Sequence, residues 1–113
     1  MNAQNLAVTD VTQLVGDMEA GTFERRISVA ISRTAAAVVD RQKPGKVTLT
    51  FEIEPVKGTQ QVAIEHTVAY AHPTERGKVS ETDGGETVFY VGRGGKVTIS
   101  QQQLNLGQQA SLT

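Results

Sequence analysis

Cysteine is absent from the 113-residue sequence, and aromatic residues are scarce: there are three phenylalanines, two tyrosines and no tryptophan. The lack of cysteine excludes disulfides, thiolate nucleophiles and cysteine metal sites. So few aromatic side chains predict a thin hydrophobic core, because a domain of this size buries only about two thirds of its unfolded surface. The formal net charge is -1, from 11 Lys and Arg against 12 Asp and Glu. No bulk positive field is therefore expected to attract nucleic acid or membrane.

Long apolar runs are missing as well. No stretch approaches the roughly 18 residues of a membrane span, and the first residues, MNAQN, lack the basic-then-apolar order of a secretory signal. We therefore expect a soluble cytoplasmic protein without membrane contact. The length fits one domain, which the pattern places at residues 10–100, between a flexible lead-in (1–9) and a glutamine-rich, mobile tail (101–113).

Helical periodicity dominates the first part of the chain. The apolar residues between positions 11 and 18 fall at i, i+3, i+4 and i+7, which predicts a short helix over about residues 10–20, ended by a left-handed Gly21. Apolar residues spaced three or four apart then predict a long helix that begins near Thr22 and stops before Pro44-Gly45. Its apolar stripe is wider than one thin core covers, which predicts self-association through the helices, most simply as a two-fold dimer.

After Gly45 the apolar period changes to two, which indicates strands. Alternation over residues 47–54 and 62–70 predicts a hairpin. Residues 72–86 are polar and rich in glycine, and they predict a long loop with at most a short edge strand at 78–80. Strands at 87–91 and 96–100, with Val97 and Ile99 facing inward, complete the pattern. The sequence thus predicts an α+β fold in which two N-terminal helices, one short and one long, pack on a mainly antiparallel sheet of four or five strands.

Patterns typical of catalysis are missing. His66 shares an apolar strand face and is expected to be structural, whereas His72 at the strand end is expected at the surface. The two lie about 20 Å apart along one strand, too far to share a metal ion. Glu52 and Glu65 line outer strand faces, where solvated charges are commoner than a functional carboxylate pair. We expect no enzymatic activity, no metal and no cofactor.

Two glycine-containing loops, at residues 74–78 and 92–96, carry cationic side chains, and the first also carries a hydroxyl group. Glycine lets backbone amides approach an anion, while arginine and lysine engage its oxygens. If the loops meet at one end of the sheet, they form a pocket for a phosphate-bearing ligand; tight turns with solvating charges are the alternative, because neither loop is a Walker A or dinucleotide motif. Tyr90, in the adjoining strand, is the candidate for stacking on a base. The predicted phosphate ligands are Thr74, Arg76, Lys78, Arg93 and Lys96.

Four stretches resemble, in the same order, a group of small phage and prophage-encoded proteins. They are MEAGTFE (18–24), PGKVTLTF (44–51), PTERGKVSE (73–81) and VGRGG (91–95). The resemblance spans about residues 10–100 and implies a phage accessory product made in the bacterial cytoplasm. It supplies no activity and no site residues, and the tail after residue 100 departs from it.

Three functions are compatible with these features. The first is a homo-oligomer that sequesters a small phosphate-bearing ligand, such as a nucleotide of host immune signalling. The second is a single-stranded DNA-binding or recombination accessory protein, although the chain lacks the positive groove and several exposed aromatics of such proteins. The third is a protein–protein inhibitor of a host factor, acting through the helices or a sheet edge.

Overall fold

The fold, seen in a computed structural model that describes residues 7–99, is a helical segment on a four-stranded sheet. The sheet order is β1-β2-β3-β4, and every described pair of strands is antiparallel. The predicted α+β class is therefore confirmed. In chain order the elements are α1 (Val11–Asp17), a 3-10 turn (Met18–Gly21), α2 (Thr22–Arg41), β1 (Lys46–Pro55), β2 (Gln61–Thr74), β3 (Gly77–Val91), a second 3-10 turn (Arg93–Gly95) and β4 (Val97–Thr98).

Helix α1 is shorter than the sequence predicts. It begins at a cap in which the Asp10 carboxylate accepts a hydrogen bond from the Gln13 amide at 3.2 Å. It ends at Asp17, because Glu19 (φ 50°) and Ala20 (φ 54°) already adopt left-handed backbone before Gly21 (φ 93°). The predicted left-handed Gly21 is confirmed. The left-handed backbone of Glu19 and Ala20 was not predictable in the same way, because neither residue is a glycine.

Helix α2 follows the prediction closely. Its buried residues, Phe23, Ala30 and Thr34, lie on one stripe. The next residue, Gln42, is left-handed and its amide donates to the Val38 carbonyl at 2.8 Å, which closes the helix. The chain then enters β1 so close to α2 that a Cβ on Gly45 would lie 2.6 Å from the methyl carbon of Thr34.

A long hairpin stands where the sequence predicts a loop. Strand β2 continues to Thr74 and β3 begins at Gly77, with a register that runs from Gln61 opposite Tyr90 to Thr74 opposite Gly77. The predicted loop at residues 72–86 was wrong, and its short edge strand is part of this longer strand. Polar residues and Gly84-Gly85 have low strand propensity, but pairing along the whole of β2 overrides that local preference.

The core lies between α2 and the central strand β2. Its buried apolar side chains are few, as the shortage of aromatic residues predicts. Val97 and Ile99 pack against this core, as expected. The buried set consists of Met18, Phe23, Ala30, Ile64, Val68 and Phe89.

Both ends of the chain, residues 1–6 and 100–113, lie outside the described residues, and with them lie the predicted tail and most of the lead-in. The described end of the lead-in contacts the sheet. The Ala7 amide donates to the Gly94 carbonyl at 3.2 Å, and the Thr9 hydroxyl accepts from the Val97 amide at 3.0 Å. Within residues 7–99, no helix is both long and apolar enough to cross a membrane.

Candidate functional site

The two predicted phosphate loops lie at opposite ends of β3. Arg76 occupies the β2–β3 turn, beside Thr74 and before Lys78, and Arg93 follows the far end of the strand. At about 3.3 Å per residue, the strand from Gly77 to Val91 separates them by about 45 Å. The structure therefore does not bring them together, and one chain forms no single pocket from both.

The second of these loops is already engaged by neighbouring backbone. The Gly92 amide donates to the Lys96 carbonyl at 2.8 Å, and the Gly95 carbonyl accepts from the Thr9 hydroxyl at 3.5 Å. Arg93 and Lys96 are exposed around this turn. Tyr90 is half-buried, opposite Gln61, at this same end of the sheet. These contacts are typical of a structural turn with solvated cations.

A separate concavity lies between one flank of α2 and the neighbouring part of β2 and β3. We name it the α2–β3 cleft; its volume is about 670 Å³. The size falls within the range of small-molecule sites. It is lined by Ala20, Gly21, Thr22, Arg25, Arg26, Val29, Arg33, Val68, Tyr70, Glu81, Thr82 and Asp83.

Three arginines project from α2 along this cleft, and they differ in their partners. Arg26 is held by two carboxylates: its Nη1 lies 2.9 Å from Glu19 Oε1 and its Nε lies 3.2 Å from Asp83 Oδ2. Arg25 and Arg33 are exposed and have no carboxylate partner among residues 7–99. The cleft therefore has one guanidinium fixed by two carboxylates and two guanidiniums without a carboxylate partner among the described residues.

The sheet side of the cleft adds an aromatic ring and acidic groups. The Tyr70 hydroxyl accepts a long hydrogen bond of 3.5 Å from Arg33 Nη1. Its ring stacks on His72, with centroids 6.0 Å apart. Glu81 lies directly opposite Tyr70 on β3, 4.0 Å from His72 Nε2. His72 is thus half-buried in a ring and carboxylate contact, rather than at the open surface that the sequence predicts.

The left-handed turn anchors the floor of the cleft to the sheet. The Glu19 amide donates to the Thr87 hydroxyl at 3.2 Å, and the Glu19 carboxylate pairs with Arg26. That carboxylate lies over Gly85 so closely that a Cβ on Gly85 would overlap it. Non-glycine residues in left-handed backbone are uncommon and concentrate at functional sites. Here the turn places Ala20 and Gly21 in the lining of the cleft.

His66 occupies the core beneath this turn. Its side chain is fully buried, its ring centroid is 4.4 Å from that of Phe23, and its Nε2 lies 3.0 Å from the Thr87 hydroxyl. Burial lowers its pKa, against a smaller opposing effect of the Glu19 carboxylate. The buried, packed ring matches the structural histidine that the sequence predicts.

A row of glutamates crosses the outer face of the sheet. Glu52 lies directly opposite Glu65, which in turn lies opposite Glu86. A hydrogen bond with Glu52 and repulsion from it and from the neighbouring carboxylates raise the pKa of Glu65. The carboxylate pair across the β1–β2 hairpin that the sequence left open is thus present.

No group of three or more His, Asp or Glu among residues 7–99 is arranged to hold a metal ion.

Sequence reasoning missed the arginines of the cleft because Glu24 and Asp40 interrupt the basic run. A signal was nevertheless present: Arg25, Val29 and Arg33 are four residues apart and share one flank of α2. The partner strand was not predictable in the same way, because residues 81–83 belong to the segment that reads locally as a loop.

Comparison with known proteins matches residues 10–97 of this chain to one family. The chain belongs to the YfdP family. The uncharacterized protein YfdP of Escherichia coli (strain K12) is 43% identical over 94 residues, which is 83% of this chain and 78% of that protein. No solved structure matches the chain.

The YfdP match extends over α1, α2, all of β1 to β3 and the β3–β4 turn. It therefore includes the whole α2–β3 cleft as well as both glycine-containing loops. The YfdP name carries no activity, so the function is argued from the cleft itself.

Proposed function

We propose that this chain is a non-enzymatic binding protein that holds a small phosphate-bearing ligand, such as a nucleotide, in the α2–β3 cleft. The observation that carries the proposal is the placement of Arg25, Arg26 and Arg33 along one concavity, with two of them lacking a carboxylate partner in the described chain. Guanidinium groups bind phosphate oxygens through paired, charge-assisted hydrogen bonds.

The position of Arg25 supports an anionic ligand. It lies in the first turn of α2, where the positive end of the helix dipole disfavours a cation by roughly 0.3–1 kcal/mol. The N-cap, Gly21, has no side chain that could accept hydrogen bonds from the first-turn amides. A phosphate beside Thr22 and Arg25 would offset both unfavourable features.

The remaining walls favour a ligand larger than phosphate alone. Tyr70 offers a half-buried ring on which a base can stack. Glu81 and Asp83 offer acceptors for sugar hydroxyls or base amines, across from the arginines. A nucleotide combines these groups with a phosphate, which is why it fits better than an inorganic anion.

In this proposal the protein acts by sequestration in the bacterial cytoplasm, as a phage accessory product that removes a host signalling nucleotide. Single-stranded DNA is the weaker alternative. Such binding favours a continuous positive groove, whereas Glu81 and Asp83 line one side of this cleft. The two differ in salt dependence, because DNA binding weakens steeply with salt through counterion release.

The test is isothermal titration of the full chain with inorganic pyrophosphate and a panel of linear and cyclic nucleotides. We compare Arg25→Gln/Arg33→Gln with Arg76→Gln/Arg93→Gln, which removes the same two charges from the sheet-end loops. The first variant should lose binding at least tenfold, as expected from the loss of about 1.4 kcal/mol or more in charged hydrogen bonds. The second should bind like wild type.

Saturating ligand at 100 times the dissociation constant should also stabilise the wild-type fold by about 2.7 kcal/mol. Equal binding by wild type and Arg25→Gln/Arg33→Gln would contradict the proposed site. Loss of binding only in Arg76→Gln/Arg93→Gln would return the site to the glycine-containing loops. Both variants are exposed substitutions, so their melting temperatures should stay near that of wild type.

A further inference from the structure

Strand β1 is an edge strand with an apolar face that the rest of the described chain leaves open. It spans ten residues, Lys46–Pro55, and among residues 7–99 it pairs only with β2. The helix-side residues Leu49, Phe51 and Ile53 are 42%, 39% and 60% exposed. An exposed, apolar strand edge of this length is a template for pairing with another chain.

The position of α2 explains why this face is open. The helix packs across β2, and its arginine-bearing flank faces β3, so that its opposite flank faces β1. Phe23 of α2 contacts Phe51 edge to face, with ring centroids 6.4 Å apart. Ile31, on the flank that faces β1, is 53% exposed. A strip of apolar surface therefore runs from the flank of α2 to the free edge of β1.

We propose that a second copy of this chain covers the strip, by antiparallel pairing of β1 with β1 of its partner about a two-fold axis at Thr50. The two sheets then form one continuous sheet of eight strands with both α2 helices on the same side. This proposal replaces the helix-mediated contact that the sequence predicts, because the open apolar surface is centred on the strand edge.

Charge complementarity within β1 selects the register. With Thr50 opposite Thr50 of the partner subunit, Lys46 lies opposite the partner's Glu54, and Thr48 lies opposite the partner's Glu52. On the helix side, the same register pairs Val47 with the partner's Ile53 and Leu49 with the partner's Phe51. Opposite charges and large apolar residues directly across an antiparallel pair are both stabilising.

The two neighbouring registers are poorer. Helices on the same side require paired residues of the same face, so the register changes in steps of two. Centring the axis on Leu49 leaves Glu54 beyond the paired strand, and centring it on Phe51 leaves Lys46 beyond it. The Thr50 register keeps Lys46 opposite the partner's Glu54 and pairs all nine residues from Lys46 to Glu54.

The other edge of the sheet fits a partner less well. The free part of β3 carries charged residues and Gly84-Gly85, and Asp83 on its helix side is held by Arg26. Pairing of β1 with β3 of another copy would also be head-to-tail, which produces open filaments, whereas pairing of β1 with β1 closes into a dimer.

Spacing between strands leaves room for the two helices. Three strand intervals of about 4.8 Å place the two β2 strands roughly 14 Å apart. This exceeds the 8–10 Å of helices in direct contact, and the gap is filled by the Leu49, Phe51 and Ile53 side chains of both copies. The strip is thereby enclosed between two helices.

A single cysteine tests the axis directly, because the natural sequence has none. Under mild oxidation, Thr50→Cys should form a disulfide dimer, since the two introduced side chains face each other. Thr48→Cys is the matched control on the same strand face. Its two copies lie about four residues apart along the paired strands, beyond the roughly 7 Å that a disulfide can bridge, and should not cross-link.

A charge exchange tests the register in the unmodified chain, with mass measured by light scattering. Lys46→Glu and Glu54→Lys should each weaken the dimer about tenfold, because like charges then face each other twice. A mixture of the two variants should recover a dimer of wild-type strength, since both cross-pairs become opposite in charge. This recovery also shows that each variant is folded.

A wild-type chain that is monomeric at high micromolar concentration overturns the proposal. So does cross-linking of Thr48→Cys with no cross-linking of Thr50→Cys. A dimer that resists both charge variants but dissociates in Val39→Asp, on the exposed face of α2, would move the contact to the helices. Filaments instead of dimers would indicate pairing of β1 with β3.

Discussion

Two neighbouring residues, Glu65 and His66, link the stability of the fold to pH. Glu65 lies between Glu52 and Glu86 on the outer face of the sheet, and their proximity raises its pKa. Like charges directly across a strand pair are destabilising when all are ionised. The glutamate row was foreseeable in part, because strand alternation places Glu52 and Glu65 on one face, but their pairing required the register.

Replacing Glu65 with glutamine should stabilise the protein at pH 7. A raised folded-state pKa means that the native state binds the proton more tightly. The associated stability is complete below the ordinary glutamate value of about 4.3 and is lost as pH rises through the raised value. The melting temperature of Glu65→Gln should therefore exceed that of wild type at pH 7, and the difference should vanish towards pH 4. Glu75→Gln, in the β2–β3 turn, is the control and should match wild type at both pH values.

His66 has the opposite linkage. Its pKa is lowered by burial, so its contribution to stability is present above the ordinary histidine value of about 6.5 and is lost as pH falls. The free energy of unfolding of wild type, measured in urea, should decline between pH 7 and pH 5. The decline should be smaller in His66→Gln, whose amide does not titrate. A wild-type slope in His66→Gln would show that another group is responsible.

At the scale of elements, periodicity predicted the helices and failed at the hairpin. Helix α2 is recognisable because its apolar residues recur every three or four positions within one segment. The β2–β3 hairpin is not, because the pairing partner of residues 77–86 lies in β2 rather than nearby in the sequence. The left-handed turn was not predicted either, because it also depends on residues distant in the sequence. Glu19 and Ala20 adopt a left-handed backbone that their residue types disfavour, and contacts of Glu19 with Thr87 and Arg26 hold it in place.

The left-handed turn at residues 19–21 predicts that an alanine-to-glycine substitution stabilises the fold within the turn and destabilises it within α2. Ala20 is left-handed and exposed, so Ala20→Gly should raise the free energy of unfolding by about 1 kcal/mol, since left-handed backbone costs a residue with a Cβ roughly 1–2 kcal/mol. Ala36 is exposed within α2, and Ala36→Gly should lower that free energy by about 0.5–1 kcal/mol. Urea unfolding of both variants is the measurement. Destabilisation by both would mean that Ala20 is not held in this conformation in solution.

At the scale of the whole molecule, the two surfaces proposed for binding lie on opposite flanks of α2. The cleft on the β3 flank is charged and concave, whereas the strip on the β1 flank is apolar and ends in a free strand edge. Occupying one therefore does not obstruct the other, and a dimer through β1 presents two separate clefts. The arrangement suits a homo-oligomeric binding protein with one ligand in each subunit.

The candidate site was only partly predictable at this scale. The proposed kind of ligand was inferred from arginines, lysines and glycines in the sequence, but the choice of arginines depended on topology. Because β3 is a single long strand, it carries Arg76 and Arg93 to opposite ends of the sheet. Because one flank of α2 faces β3, Arg25 and Arg33 line the same cleft as Glu81. Neither relation is local in sequence.

The most direct test of the account is a titration of the isotope-labelled full chain, followed by amide nuclear magnetic resonance. The probe is inorganic pyrophosphate first and then the nucleotide that binds most tightly in calorimetry. Binding in the cleft predicts shifts concentrated at residues 20–22 and 81–83, with little change at 74–78 and 92–96. Shifts confined to those two loops, or no saturable shifts with any member of the panel, would contradict it.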